Sequence, residues 1–131
     1  MQDDELLKLI ADHMEGGFLE NITDMFRHDP SLYRFLPELM SDERGRVRLG
    51  TVALVEGLRA EYLSEIEAQV PHVSLLLKHD APVVRGDAAY LLGIIGGEEA
   101  LRHLRDAEKT EAVEPIRQAI RETIADIEDA A

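Results

Sequence analysis

Val84-Arg85-Gly86-Asp87-Ala88-Ala89-Tyr90-Leu91-Leu92-Gly93-Ile94-Ile95-Gly96-Gly97 is the stretch whose reading decides the fold. Val84, Ala88, Leu91, Leu92 and Ile95 recur at steps of three and four residues, which marks one face of an α-helix, and the paired glycines end it. The pattern returns on both sides. Val47-Arg48, followed by Thr51, Leu54, Val55 and Leu58, lies 37 residues upstream (84 − 47), and Ile116-Arg117, followed by Ile120, Ile124 and Ile127, lies 32 residues downstream (116 − 84). A period in this range describes helix pairs that stack because one pair alone cannot bury its apolar face. The expected fold is all-α, a short solenoid of about four helix pairs.

Working outward, Leu6, Leu7, Ile10 and Met14 predict a helix over Asp3 to Glu15 with carboxylates in its first turn, ended by Gly16-Gly17. Phe18, Leu19, Ile22, Met25 and Phe26 predict a second, which stops at Asp29-Pro30, a cap and first position for the next. Neither carries the Val-Arg signature, so residues 1–30 read as an N-terminal cap ahead of repeats at 31–63, 64–97 and 98–131. Ser31 to Met40 is expected as helix three and Val47 to Leu58 as the stripe of helix four. Helix five is expected from a capping box, Ser64 and Glu67, to about Lys78, bent at Pro71. Asp80 is the expected cap of helix six. Ala100, Leu101 and Leu104 read as a short seventh helix, with Asp106 to Thr110 as a polar link to helix eight.

Composition narrows the function. The 131 residues form one domain with 45% apolar residues, 5% aromatic residues and no Trp, which suggests a core of Leu, Ile, Val and Ala. A net charge of −13 opposes binding to phosphate backbones and favours basic partners, so nucleic acid is not expected. The absence of Cys excludes disulfides and thiolate metal sites and fits a reducing compartment. With an acidic start, Met1-Gln2-Asp3-Asp4-Glu5, and no uncharged run of spanning length, the expectation is a cytoplasmic protein without a membrane segment.

The Val-Arg, small-residue, Leu-Leu-Gly, Ile-Gly run of Val84 to Gly96 resembles the HEAT-like repeats of phycobilisome bilin lyases. The likeness covers Phe35 to Leu58 and Val73 to Gly97 and continues more loosely over Ala100 to Ile127. It implies a right-handed superhelix whose second helices line the concave face. It also implies a structural ladder of arginines, Arg48, Arg85 and Arg117, each paired with a turn carboxylate, for which Asp42, Glu43, Asp80 and Glu111 are candidates. In the third repeat Arg121 and Ala125 replace small residues of the pattern. Most proteins with such repeats are adaptors, so lyase activity does not follow from the repeat.

Helical geometry supplies a candidate partner-binding face. Gly86, Tyr90 and Gly93 point away from the predicted core, and the matching positions are Leu49, Ala53 and Glu56 on one neighbouring helix and Gln118, Glu122 and Ala125 on the other. A central tyrosine, small neighbours and flanking carboxylates suit a basic or amphipathic peptide. No catalytic residue, cofactor or metal is assigned. His13, His28, His72, His79 and His103 have no ligand spacing, and Glu65, Glu67, Glu98 and Glu99 sit where helix starts favour carboxylates. Arg44, Arg46, Arg48 and Arg59 make residues 44–59 the one basic segment, four arginines against one glutamate; Arg48 is expected in the ladder and Arg44 and Arg46 as surface charges balancing the acidic N-terminal third, the alternative being an anion or phosphate contact. The function expected is a non-catalytic protein-interaction module. The alternatives are an accessory subunit of a bilin lyase or other cofactor-attaching enzyme, and a nucleic-acid binder, which the charge opposes.

Overall fold

A computed structural model describes residues 1–130. In chain order its helices are α1 (Asp3–Glu15), α2 (Leu19–His28), a 3-10 segment (Pro30–Phe35), α3 (Leu36–Met40), α4 (Gly45–Leu58), α5 (Leu63–Glu67), α6 (Val70–Ser74), a 3-10 segment (Leu75–Lys78), α7 (Pro82–Ile95), α8 (Gly97–Thr110) and α9 (Glu114–Ala130). Among the described residues there is no strand.

The helices form two layers. In the inner layer α1, α4, α7 and α9 lie side by side in that order, and in the outer layer the 3-10/α3 segment, α6 and α8 follow one another. α4, α7 and α9 run parallel, since their N-terminal halves meet at Arg48–Asp87 and at Gly86–Ile116 and their C-terminal halves at Arg59–Ile95 and at Gly93–Thr123. α1 runs the other way. Its last turn lies on the first turns of α4, where Met14 packs on Gly50 and Asp12 and Glu15 reach Arg44. This reversal explains why α1 shares the layer but not the Val-Arg pattern.

The core between the layers is the predicted stripe. Val47, Leu54, Val55 and Leu58 of α4 and Ala88, Leu91, Leu92 and Ile95 of α7 are buried, as are Ile120, Ile124 and Ile127 of α9. Aromatic burial is concentrated near the N-terminal end. Phe26 meets Tyr33 edge-on at 5.1 Å between ring centroids, and Tyr33 lies 5.8 Å from Tyr62.

Several expected boundaries are corrected. Ser31 to Met40 is a 3-10 turn followed by a short helix, with Asp29 capping and Pro30 leading as expected: Ser31 N–H donates to Asp29 Oδ1 at 3.1 Å. The segment from 64 to 78 is not one bent helix but α5, α6 and a 3-10 turn. Pro71, which lacks an N–H, falls within the first two positions of α6 and so opens a helix rather than bending one. Ser64 makes no cap, since α5 already begins at Leu63. α8 is long rather than short, and Asp106 to Thr110 is its last part. Buried Ala107 extends the stripe of Ala100, Leu101 and Leu104 by one turn, a small residue easily missed in a polar run. Only Glu111 to Val113 separates α8 from α9.

Candidate interaction face and its supporting ladder

Two of the three ladder arginines, Arg48 and Arg85, are held by the turn before their own helix. Arg48 Nη1 donates to the carbonyls of Asp42 (2.7 Å) and Glu43 (3.1 Å), and Arg85 Nη1 donates to those of His79 (2.9 Å) and Asp80 (3.2 Å). The same side chain then reaches forward. Arg48 Nε donates to Asp87 Oδ2 of α7 at 2.7 Å, and Arg85 clasps Glu111, ahead of α9, through Nε–Oε1 at 2.7 Å and Nη2–Oε2 at 3.0 Å. The arginine thus satisfies helix-entry carbonyls and ties one repeat to the next. The Glu111 side chain keeps 4% of its exposure, and the Arg85 hydrogen bonds hold its carboxyl below the ordinary value despite burial.

Two ladder assignments change. Asp80 contributes its backbone carbonyl, while its carboxylate is neither the partner of Arg85 nor a cap. α7 is preceded by Ala81 at the cap position, whose N–H donates to His79 Nδ1 at 3.0 Å. Arg117 turns back on Glu114 one turn earlier, with Nε–Oε2 at 3.1 Å, and links no repeats. Asp87 escaped the sequence reading. A lone carboxylate within the otherwise apolar run of α7 was the signal that could have found it.

Arg44 is not an isolated surface charge. It bonds to Asp42 through Nε at 2.9 Å and Nη2 at 3.0 Å, and to Asp12 at 2.9 Å and Glu15 at 3.1 Å, tying α1 to the entry of α4. The contacts raise the Arg44 pKa and lower that of Asp42, whose largest cause is the Arg44 hydrogen bond. Arg59 is also engaged, donating Nε and Nη2 to the Ile95 carbonyl at 3.2 and 3.0 Å. Of the four arginines in the basic segment, Arg46 alone makes no ion pair or hydrogen bond among the described residues.

The outward face of the inner layer sorts the predicted binding residues into two groups. Leu49, Ala53, Glu56, Tyr90, Gln118, Glu122 and Ala125 are exposed, with Gln118 Nε2 donating to Glu122 Oε1 at 3.2 Å. Gly86 and Gly93 are not open to a ligand. A Cβ on Gly86 would come 3.2 Å from Ile116 Cδ1, and one on Gly93 would come 2.6 Å from Thr123 Cγ2, so both glycines serve the approach of α9. The 100° step per residue gives the reason: Gly86 and Gly93 lie about 40° and 60° to one side of Tyr90, toward α9, while Ile94 and Asp87 lie about as far to the other side, toward α4. Tyr90 stands on the ridge between.

Val83, two turns before Tyr90 on the same line, belongs to this face and was missed, although its seven-residue spacing from Tyr90 was legible. Leu49, Val83 and Tyr90 are 60%, 59% and 57% exposed. Surface cavities lie elsewhere. One of about 480 Å3 lies between α3 and α6, lined by Pro37, Glu38, His72 and Leu75, and one of about 560 Å3 lies at the C-terminal edge of the inner layer, lined by Arg59, Ile94, Leu101 and Ile127. Among the described residues no group of three or more His, Cys, Asp or Glu is placed to hold a metal ion, and no helix is long and apolar enough to cross a membrane.

Paired helices in two layers, joined by forward-reaching arginines, define a short α-solenoid. A profile of HEAT repeats matches residues 32–125, well over half of the chain, and the chain belongs to the HEAT-repeat family. Repeats of this kind generally mediate contacts between proteins and are typically non-catalytic scaffolds. No curated protein and no solved structure matches the chain.

Proposed function

We propose that the chain is a non-catalytic adaptor that binds a basic or amphipathic protein segment on the outward face of its inner layer. The observation that carries this reading is the placement of Leu49, Val83 and Tyr90, three large apolar side chains left more than half in water on adjacent parallel helices. Single exposed apolar residues are ordinary, but a group on one face is characteristic of an interaction surface. Glu56 and Glu122 on the flanking helices, and the net charge of −13, favour a cationic occupant. The organisation that goes with this reading is a cap of residues 1–30 followed by repeats at 31–63, 64–97 and 98–131, of which Ala131 lies outside the described residues.

Affinity purification from the native host, followed by binding measurements with the purified partner, tests the proposal. Tyr90→Ala is expected to weaken capture by about 2 kcal/mol, as for a central tyrosine hot spot, while leaving the melting temperature nearly unchanged. Arg102→Ala, on the exposed side of outer-layer α8, is the control and is expected to change neither. Wild-type affinity in the Tyr90 variant, or loss of binding in the control, removes the proposal. Recovery of a bilin lyase with tetrapyrrole absorbance would instead assign the accessory-subunit role.

A further inference from the structure

Two rows of unlike character cross the outward face of the inner layer. The α7–α9 contacts share one offset, Gly86 with Ile116 and Gly93 with Thr123, 30 residues in each case (116 − 86, 123 − 93), so Glu122 is level with Leu92. Near the C-terminal ends the α4–α7 offset is 36, from Arg59 to the Ile95 carbonyl (95 − 59), which sets Glu56 at the same level. Seven residues earlier, two turns toward the N-terminal ends, stand Leu49 on α4 and Pro115 on α9, with Val83 of α7 between them. Pro115 is the counterpart of Val83 in the repeat pattern (115 − 83 = 32), and all three are exposed, as is Val113 in the turn before α9. Tyr90 stands between the rows, which the seven-residue rise sets about 10 Å apart.

The charges on this face have one sign. Glu56, Glu122 and Asp126, one turn beyond, make no ion pair among the described residues, and Glu122 is met only by the Gln118 amide. The C-terminal ends of α4 and α7 lie on the side of the acidic row and add negative potential to it. Arg59 at the end of α4 is held by the Ile95 carbonyl, and Arg46 lies on the other side of α4, its Nη2 4.0 Å from where a Cβ on Gly17 would stand.

Resting on the interaction face argued above, we infer that the inner layer takes an amphipathic partner helix laid across α4, α7 and α9, apolar on the flank that meets Leu49, Val83 and Pro115 and basic on the flank that meets Glu56 and Glu122. A helix with its side chains is about 10 to 12 Å wide, which matches the separation of the rows. An extended segment occupies about 5 Å and reaches one row only. Neighbouring helix axes lie about 8 to 10 Å apart, so Glu56 and Glu122 are about 16 to 20 Å apart across the face. Partner residues i and i+11 are about 16 Å apart and return to the same side of a helix after three turns, so the two cations belong at that spacing. A helix lying along the α4–α7 seam would meet Glu56 and miss Glu122.

Synthetic helical peptides with one leucine-rich face test this by fluorescence anisotropy. The first carries lysines at i and i+11 beside that face, the second carries the same lysines at i and i+4, and the third has glutamates at i and i+11. The wild-type protein is expected to bind the first about threefold to tenfold more tightly than the second, the range for one partly desolvated charge pair, and the third most weakly. Glu56→Gln and Glu122→Gln should each remove the preference for the first peptide over the second, with circular dichroism unchanged. A proline in the middle of the first peptide should abolish its binding.

Loss of affinity in Glu56→Gln and Tyr90→Ala but not in Glu122→Gln overturns the crosswise helix and leaves the interaction face standing, as does full binding of the proline peptide that Tyr90→Ala weakens. Binding that ignores Tyr90→Ala and is lost with Leu75→Ala, on the outer layer, overturns both, as does binding of none of the peptides. Dimerisation of the protein alone that Tyr90→Ala abolishes makes a second copy the occupant and overturns the partner helix.

Discussion

At the scale of single residues, Arg85 is the group whose loss should be felt most. Arg85→Ala strands a buried carboxylate and two turn carbonyls, so the expected cost is about 3 to 5 kcal/mol, against about 1 to 2 kcal/mol for Glu111→Gln, which keeps acceptor capacity and removes the charge. Arg44→Ala should cost about 1 to 2 kcal/mol rather than nothing, because its carboxylate partners lie on α1 and on the entry of α4. Urea unfolding of the three variants orders them. The ladder also sets an acid limit. The Glu111 carboxyl is held low in the fold and takes its ordinary value when unfolded, so the unfolded chain binds the proton first as pH falls. This stabilisation is complete above the ordinary carboxylate range, around pH 4, and disappears as pH falls through the depressed folded value. The difference in melting temperature between wild type and Glu111→Gln should accordingly narrow between pH 6 and pH 2.5. A gap that stays constant over that range would mean that the clasp does not titrate.

At the scale of elements, the approach of α9 to α7 depends on Gly93. Replacing a helix-interior glycine by alanine normally adds up to about 1 kcal/mol of stability, but here the new methyl meets Thr123 Cγ2, so Gly93→Ala should cost about 1 to 3 kcal/mol. Thr123→Ser removes that methyl and keeps the hydroxyl that donates to the Ala119 carbonyl at 2.9 Å. In a Thr123→Ser background, then, Gly93→Ala should become neutral or stabilising, and thermal melts of the four proteins decide. The same glycine shows what could be read from the chain alone. Periodicity from Val84 to Ile95 identifies a helix and its buried side, because burial follows the angle around one axis. It does not say how near the next axis lies, so Gly86 and Gly93 read as open when Ile116 and Thr123 fill them. Likewise, the stripe in Ser64 to Lys78 reads as one helix, since apolar spacing in 3-10 and α turns is alike over so few residues. Tyr90, Leu49 and Glu56 read correctly as outward because they lie far from the buried arc. Asp87 and Glu111 could not be paired with their arginines from local spacing, being 39 (87 − 48) and 26 (111 − 85) residues away.

At the scale of the whole molecule, the inner layer should be the persistent part. α7 is flanked by α4 and α9 and backed by the outer layer, whereas α5 and α6 are single turns joined by irregular chain. Native-state amide exchange is expected to be slowest in α7 and faster by orders of magnitude in α5 and α6, since short helices open locally without unfolding the rest. Uniform protection would show instead that the layers open together. The forward reach of the ladder also bears on synthesis of the chain. Arg48 meets its carboxylate only after Asp87 has been added, 39 residues later, and at about 5 to 20 residues per second that interval is about 2 to 8 seconds. The repeats of Arg48 and Arg85 therefore leave the ribosome with their guanidinium groups resting on turn carbonyls alone and are completed by their successors, so a pause in translation before Asp87 or before Glu111 would leave the nascent protein open to proteases and chaperones.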